Sequence, residues 1–162
     1  EFPAVPGMPT KCRMNEFGVL HDWIKPEMDM TKPYHPLVPR VDADGNETAG
    51  ILLPDIAVPL ATHTGWNCFS APYPEDELCD RAGSYIPFAT TRIEREANHD
   101  PRPSLEERYG SHAGYLKRFE EAVRILVAAR LLLPEDAKHL TECAKSDTTI
   151  NRFASSDAAP KK

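Results

Sequence analysis

The sequence predicts an irregular N-terminal half of short strands, followed by a C-terminal hairpin of two helices. Fourteen of the sixteen prolines lie at or before Pro103. Because an interior proline removes a helical hydrogen bond and clashes with the preceding turn, this half is expected to form extended segments and turns. Beyond it, apolar side chains recur at three- and four-residue spacing from Tyr115 to Val127, which is typical of a helix with one buried face. With 162 residues, the chain can bury a real core.

Four regions are expected along the chain. Residues 1–33 show little periodicity and predict an extended arm, and residues 34–103 predict short strands and loops. Residues 104–146 predict helices, and the polar residues 147–162 predict a flexible tail. Within the arm, residues 17–24 fit either a strand or a helical turn.

The most apolar stretch of the N-terminal half is residues 49–67, around which we expect the rest to be organised. Its prolines, Pro54 and Pro59, leave pieces that are too short for a helix of ordinary length. Residues 51–53 and 56–58 are therefore predicted to be short extended segments at a sheet edge.

The same stretch ends in residues 62–67, a polar and aromatic cluster around Gly65. Apolar anchoring followed by a polar turn is typical of a loop that a scaffold presents at a pocket. An edge strand with a purely structural turn explains the pattern equally well.

Residues 41–47 contain a D-x-D-G-N run that partly matches a calcium-binding loop. Such a loop needs a glutamate at its twelfth position, which is Leu53 here, so an EF-hand is excluded. Gly45 instead favours a tight turn, because glycine adopts positive φ without strain. We therefore predict a hairpin that joins residues 34–41 to residues 49–53.

Capping signals define the predicted helices of the C-terminal half. Ser104 and Glu107 form a capping box before a short helix that ends near Gly110. Ser111 then caps the main helix, which is predicted over about 112–130.

The last helix is predicted over about 134–145, with a proline at its first position and acidic residues in its first turn. Ala137, Leu140 and Ala144 fall on one side of it. Because the connection is short, the two long helices should form an antiparallel hairpin. A short charged helix over residues 91–98 precedes them.

The overall charge and the known motifs narrow the classes of function. A net charge of −6 argues against nucleic acid as a partner, which would favour a basic surface. The longest apolar runs are far shorter than the ~20 residues that span a membrane. The sequence has no phosphate-binding loop, no dinucleotide fingerprint and no HExxH motif, so we expect no cofactor and no metal.

Four cysteines allow three different pairings into two bridges. Cys68 and Cys79 flank a short loop, and a bridge between them is favoured over two free thiols, whereas the pairing of Cys12 and Cys143 stays open. No CxxC spacing supports zinc. A bridged pair, together with a start at Glu1 rather than methionine, favours a periplasmic or secreted protein.

No nucleophile stands out. The GxSxG elbow of serine hydrolases is absent, and the near match at residues 110–114 is explained by Ser111 as a helix cap. His63 and His112 remain possible bases. One hypothesis is a self-sufficient enzyme in which Ser111 or Ser84 is the nucleophile and one of these histidines is the base. It is weaker than the two hypotheses given below.

Eight motifs follow one another along the chain: LVPRVDADGN (37–46), AGI (49–51), LPDIAVPLAT (53–62), TGWN (64–67), GSYIPF (83–88), DPRPS (100–104), EERY (106–109) and LLLPED (131–136). In order and spacing they resemble a family of bacterial alpha/beta-hydrolase-domain proteins. The resemblance extends from about residue 2 to about residue 145, and it is to the C-terminal part of such a protein. It implies the C-terminal portion of an α/β hydrolase-type fold.

In that family the nucleophilic serine and the histidine lie upstream of the segment that matches residues 2–7, so no catalytic residue is carried onto this chain. The resemblance implies a C-terminal fragment or subunit of an esterase-like serine hydrolase, which contributes scaffold and pocket wall to a larger N-terminal hydrolase chain or domain. The assembly would act on a small ester, and this chain would be inactive alone.

The residues expected to line the pocket are Thr62, His63, Trp66, Asn67 and Tyr85. The alternative is a non-enzymatic subunit that wraps a partner chain. It is favoured by the proline content and by the absence of catalytic motifs.

Overall fold

Six short strands, with one short helix among them, precede four helices in the part of the chain that the structure, a computed structural model, describes: residues 3–8, 17–22, 24–34, 37–74, 77–79 and 82–146. The elements in this part are β1 (Phe17–Leu20), β2 (Met28–Tyr34), α1 (Pro54–Ala57), β3 (Ala61–Thr64), β4 (Asn67–Cys68), β5 (Leu78–Cys79), β6 (Ser84–Pro87), α2 (Arg92–Ala97), α3 (Leu105–Tyr109), α4 (His112–Ala128) and α5 (Pro134–Ser146). The predicted tail over 147–162 lies outside the described residues. The expectation of short strands followed by helices is confirmed.

The described strands form three two-stranded antiparallel sheets: β1 with β2, β3 with β6, and β4 with β5. Of the stretch over residues 17–24, which fitted either a strand or a helical turn, residues 17–20 form the strand β1. The β1–β2 hairpin occupies the second half of the predicted arm. It contains an irregularity between Gly18 and Val19, where the register shifts.

The prediction of an extended segment over residues 56–58 is wrong, because α1 includes Ile56 and Ala57. Leu53 does have an extended backbone, although residues 51–53 belong to none of the described sheets. Pro54 is the first residue of the short helix α1, and the strand that follows this helix begins at Ala61. A proline at that position costs no hydrogen bond, because its missing N–H would have no partner inside the helix. The two prolines therefore mark the start of a helical turn and the segment after its end.

The predicted turn around Gly45 is confirmed, although its two arms are shorter than expected. Val41 and Glu47 form an isolated antiparallel bridge, and Gly45 has a φ of 83°. The Asp42 carboxylate closes the turn by accepting hydrogen bonds from the amides of Asp44 and Asn46, each at 2.9 Å. The Thr48 amide still donates to the Arg40 carbonyl at 3.0 Å, but residues 49–53 belong to no described strand, and Tyr34 belongs to β2 instead.

The predicted disulfide between Cys68 and Cys79 is wrong, because Cys79 is a free thiol. In the β4–β5 ladder Cys68 lies opposite Leu78, and Cys79 lies opposite Asn67. This one-residue offset sends the two cysteine side chains to opposite faces of the ribbon, where their sulfurs cannot meet. The pair lends no support to an oxidising compartment, and a periplasmic or secreted location stays a prediction. Cys12 lies outside the described residues.

The helical caps predicted at Ser104 and Ser111 both form, and α2 has a further cap. Thr91 caps α2, and Ser104 caps α3 in a complete capping box with Glu107. Gly110 ends α3 with a φ of 70°, and the Ser111 hydroxyl accepts a hydrogen bond from the third amide of α4 at 3.1 Å. None of the described helices is long and apolar enough to cross a membrane.

The predicted hairpin of α4 and α5 forms most of the core. The buried residues of this cluster are Val58, Phe88, Leu105, Tyr115, Phe119, Val123, Ala137 and Ala144. Lys145, near the end of α5, forms an ion pair with Glu120 of α4 at 2.9 Å, so the two helices run antiparallel. The core thus joins the helical hairpin to α1 and to the end of β6.

Candidate functional site

The main groove of the described structure lies between α1, the β3–β6 ribbon and the α4–α5 hairpin. Its volume is about 620 Å³, which is within the usual range for small-molecule sites. Its apolar walls are formed by Leu53, Ile56, Val58, Leu60, Tyr115, Phe119, Leu140 and Ala144. The polar side chains that line it are Asp55, His63, Tyr85, Cys143 and Ser146.

His63 and Tyr85 form an aromatic pair on one face of the β3–β6 ribbon. They are directly opposite each other in the antiparallel register, and their rings meet edge to face with centroids 5.1 Å apart. Burial lowers the pKa of His63 below its usual value of 6.5, and the nearby Asp55 carboxylate offsets part of this effect. The imidazole is therefore mainly neutral at pH 7.

The backbone of His63 is held from behind by Asn46, which is 1% exposed. The Asn46 side-chain oxygen accepts a hydrogen bond from the His63 amide at 2.7 Å, and its nitrogen donates to the Ala61 carbonyl at 3.1 Å. Both polar atoms of the buried amide are satisfied. Asn46 thus ties the Gly45 turn to β3 and fixes the strand that carries His63.

A buried ionic cluster lies behind the same ribbon; we call it the Arg102 cluster, and it comprises Asp44, Thr62, Asp100, Arg102 and Arg108. The Arg102 guanidinium donates to both carboxylate oxygens of Asp100, at 2.9 and 2.7 Å, and to the Thr62 hydroxyl at 2.8 Å. The Thr62 hydroxyl donates in turn to the Asp44 carbonyl. Burial raises the pKa of Asp100, but the hydrogen bonds and charge of Arg102 outweigh it, so the pKa lies below its usual value.

Arg108 completes this cluster by pairing with the carboxylate of Asp44 through both terminal nitrogens of its guanidinium. Both guanidinium groups lie over the ring of Phe88, with the carbon of Arg108 4.1 Å and that of Arg102 5.0 Å from the ring centroid. Sequence reasoning did not identify the cluster. Its only visible signal is the Asp-Pro-Arg-Pro run that begins at Asp100.

The structure divides the five residues that were expected to line a pocket. His63 and Tyr85 come together at the groove. Thr62 is fully buried in the Arg102 cluster, on the opposite face of β3. Trp66 and Asn67 lie beyond the end of β3 and are not among the residues that line the groove. Residues 62–64 form a strand rather than the start of a loop, which explains the separation because neighbouring strand residues face opposite ways.

The serines proposed as nucleophiles are poorly placed for catalysis. Ser84 is opposite Thr64 in the ribbon, so its side chain points away from the face that carries His63. The Ser111 hydroxyl caps α4, and its neighbour His112 has a buried Nε2 without a hydrogen-bond partner in the described part. No serine hydroxyl in the described part bonds a histidine ring. A contact of a different kind joins the Cys143 sulfur to His139 Nε2 at 3.6 Å.

Metal chemistry has no visible support in the described part of the chain. None of its histidines, cysteines, aspartates and glutamates form a group of three or more that could hold an ion. The Asp42 carboxylate is occupied by the amides of the Gly45 turn. This turn is therefore explained as local structure.

Comparisons with known proteins agree with the sequence motifs. Residues 11–142 match the model of a family described as an alpha/beta hydrolase domain. Comparison with curated proteins and with solved structures found no match.

Proposed function

Because the chain belongs to the alpha/beta hydrolase domain family, which its match over residues 11–142 shows, we propose that it forms the C-terminal part of an esterase-like serine hydrolase. In this proposal the chain supplies scaffold and pocket wall, and the nucleophilic serine comes from a larger N-terminal hydrolase chain or domain. The reaction is the hydrolysis of a carboxylic ester of small size.

The observation that carries this proposal is that no serine hydroxyl in the described part of the chain bonds the histidine of the groove. A serine hydrolase needs a base within about 2.6–3.2 Å of the nucleophilic hydroxyl. In the described part of the chain His63 reaches the groove, whereas Ser84 points from the opposite face of the same ribbon. Ser146 also lines the groove, but its hydroxyl bonds the carbonyls of Glu142 and Cys143 in its own helix. The groove thus has the apolar walls and polar groups of a binding site but no serine nucleophile paired with its histidine.

A partner chain is supported by apolar side chains that are exposed in the N-terminal half. Ile24 is 93% exposed and Val38 is 61% exposed, and Met28, Met30 and Tyr34 of β2 are exposed as well. Large exposed apolar side chains of this kind are expected where another chain or domain covers them. In the proposed assembly these residues pack against the N-terminal part.

The same surface favours one alternative, a non-enzymatic subunit that wraps a partner chain. Both functions require a partner, but only the first requires a reactive serine in that partner. The two functions therefore differ in whether the partner has a reactive serine, and a reagent that labels such a serine distinguishes them.

The test is fluorophosphonate labelling of the native material that contains this chain, followed by intact-mass analysis of every polypeptide present. The proposed function requires label on a second polypeptide, or on a segment N-terminal to this chain, and no label on this chain. Pretreatment with an unlabelled fluorophosphonate provides the control and must abolish the signal. Label on this chain would refute the assignment of the nucleophile elsewhere, and no label on any polypeptide would favour the non-enzymatic subunit.

The role of the groove is tested in the labelled assembly with Tyr85→Phe and His63→Gln. We expect either change to alter kcat or KM for small esters, because both side chains line the groove. Tyr73→Phe is the matched control, since Tyr73 is exposed in the turn between β4 and β5 and does not line the groove. Unchanged kinetics in both groove variants would refute the role of pocket wall.

A further inference from the structure

The charges around the groove restrict the ligands that it can hold. Asp55 is the carboxylate among the described lining residues, and no lysine or arginine is found among them. His63 does not compensate, because burial lowers its pKa and keeps its ring mainly neutral at pH 7. A bound carboxylate or phosphate would therefore lie near a like charge without a counter-ion, which is unfavourable in a partly desolvated site.

The apolar walls restrict the ligand further. Val58, Tyr115, Phe119 and Ala144 are buried core residues that also form the floor of the groove. Because they belong to the packed core, the floor is preformed and offers apolar contacts to an apolar ligand without rearrangement. A short polar ligand would leave most of this surface in contact with water.

The imidazole of His63 offers a polar anchor in the lining of the groove. No residue of the described structure forms a hydrogen bond with the imidazole nitrogens of His63. The ring is held in place by the edge-to-face contact with Tyr85 and by the bond from its own amide to Asn46. A neutral imidazole N–H can donate a hydrogen bond to an uncharged carbonyl or ester oxygen.

We propose that this groove binds the apolar acyl chain of a neutral carboxylic ester, with His63 as the hydrogen-bond donor to the ester. The inference rests on the proposed function and adds the class of substrate. It assigns the acyl chain to the walls formed by α1, α4 and α5, and the ester group to the His63 end. It excludes free fatty acids and other anions as good ligands for the groove.

Two free cysteines provide the test within the native protein. Cys143 lines the groove and is exposed, whereas Cys79 is a free thiol in β5 that does not line it. The rates at which N-ethylmaleimide modifies each thiol are measured by peptide mass spectrometry in the presence of N-ethyloctanamide, a neutral amide that mimics the ester. If the occupied groove shields Cys143, its rate falls by the factor 1 + [L]/Kd, which is about tenfold at ten times Kd. The rate of Cys79 is expected to stay unchanged.

Two matched ligands separate the contributions of chain and charge. Octanoate keeps the chain and adds a charge, and N-ethylacetamide keeps the amide and loses the chain, so neither is expected to protect Cys143 at the same concentration. Equal protection by octanoate would refute the claim that the groove disfavours anions. Equal protection by N-ethylacetamide would refute the claim that the apolar walls bind the acyl chain. No protection by N-ethyloctanamide would overturn the proposal as a whole.

A variant tests the anchor itself. His63→Leu keeps the walls apolar and is expected to weaken protection by N-ethyloctanamide, whereas His21→Leu, on the β1–β2 hairpin, is expected to leave it unchanged. Full protection in His63→Leu would refute the anchor. The thiol assay measures ligand binding in the groove, and fluorophosphonate labelling detects the nucleophilic serine. A failure of this proposal and a failure of the proposed function are therefore seen in different experiments.

Discussion

Replacing Arg102 with methionine removes the centre of the buried ionic cluster while keeping a side chain of similar length. The guanidinium is 2% exposed and donates two hydrogen bonds to the Asp100 carboxylate and one to the Thr62 hydroxyl. It also donates to the carbonyls of Ile86 at 3.0 Å and Pro87 at 3.3 Å. The variant therefore loses contacts that link the 100–108 segment to both strands of the β3–β6 ribbon.

The largest part of the cost comes from the charge that remains. Asp100 is 5% exposed, and without the Arg102 guanidinium it becomes a buried carboxylate that keeps only the hydrogen bond from the amide of residue 102 and the charge of Arg108. Removing one member of a buried ion pair typically costs about 3–5 kcal/mol, and we expect a loss of that size in the free energy of unfolding at pH 7. Typical domains have only about 5–15 kcal/mol in total, so the variant should be severely destabilised.

The loss of unfolding free energy in Arg102→Met should depend on pH, because it depends on the charge of Asp100. With Arg102 present, the pKa of Asp100 lies below 3.8, so the pair adds stability at neutral pH and loses it as the pH falls through that lowered pKa. In Arg102→Met the side-chain hydrogen bonds and the charge of Arg102 are lost, while the backbone N–H of residue 102 and the charge of Arg108 remain, so the pKa of Asp100 rises relative to the wild-type protein. The deficit of the variant should therefore shrink as the solution is acidified and Asp100 becomes neutral.

The assay is urea unfolding of the purified protein, followed by far-UV circular dichroism at pH 7 and at lower pH. Arg92→Met is the matched control, because Arg92 pairs with Glu96 at 2.7 Å on the surface of α2, where solvent screens the pair and its loss should change stability little. The double variant Arg102→Met with Asp100→Asn should recover part of the loss. A loss below about 1 kcal/mol for Arg102→Met, or simple additivity in the double variant, would contradict the reasoning.

Three further predictions concern the groove, the link behind it and the core. Titration of His63 by NMR should give a pKa below 6.5, and Asp55→Asn should lower it further, because the Asp55 carboxylate favours the charged ring. Asn46→Ala leaves a buried amide and a buried carbonyl without partners, so unfolding in urea should show a loss of about 1–3 kcal/mol for each unsatisfied group. Phe119→Ala, at a residue 1% exposed, should cost about 3–5 kcal/mol in the same assay, whereas Phe69→Ala at an exposed residue should cost far less.

The helical half could be predicted closely because its signals are local. Ser104 and Ser111 lie within three residues of the amides that they cap, so the sequence itself brings donor and acceptor together. The spacing of Tyr115, Phe119 and Val123 likewise needs only the helical repeat to predict which face is buried. Local geometry determined both the starts of these helices and the residues in their core.

The N-terminal half was harder because its structure depends on distant partners. Arg102 binds Thr62 across 40 positions, and Arg108 binds Asp44 across 64 positions. No spacing rule connects such residues, and a charged residue between two prolines is expected at the surface. The sequence therefore showed the turn at Gly45 but not the ionic cluster into which that turn packs.

Of the residues predicted to line the pocket, only His63 and Tyr85 lie at the groove, because residues 62–64 form a strand and not a loop. A loop over residues 62–67 would allow every polar side chain to reach one pocket, and this was the expectation. In strand β3 the side chains alternate, so His63 faces the groove and Thr62 faces the Arg102 cluster. Tyr85 reaches the groove because it is the register partner of His63.

Because the side chains of β3 alternate between two faces, the same strand contacts the stabilising Arg102 cluster and the proposed binding groove. The β3–β6 ribbon is only two strands wide, with the ionic cluster on one face and the His63–Tyr85 pair on the other. A change in the cluster that shifts the ribbon therefore also shifts the groove. A loss of activity in Arg102→Met would accordingly report a displaced site, and it should be accompanied by loss of the protection that N-ethyloctanamide gives to Cys143. If protection and unfolding free energy stayed unchanged while activity was lost, Arg102 would have a direct role in the chemistry that its burial behind the ribbon does not predict.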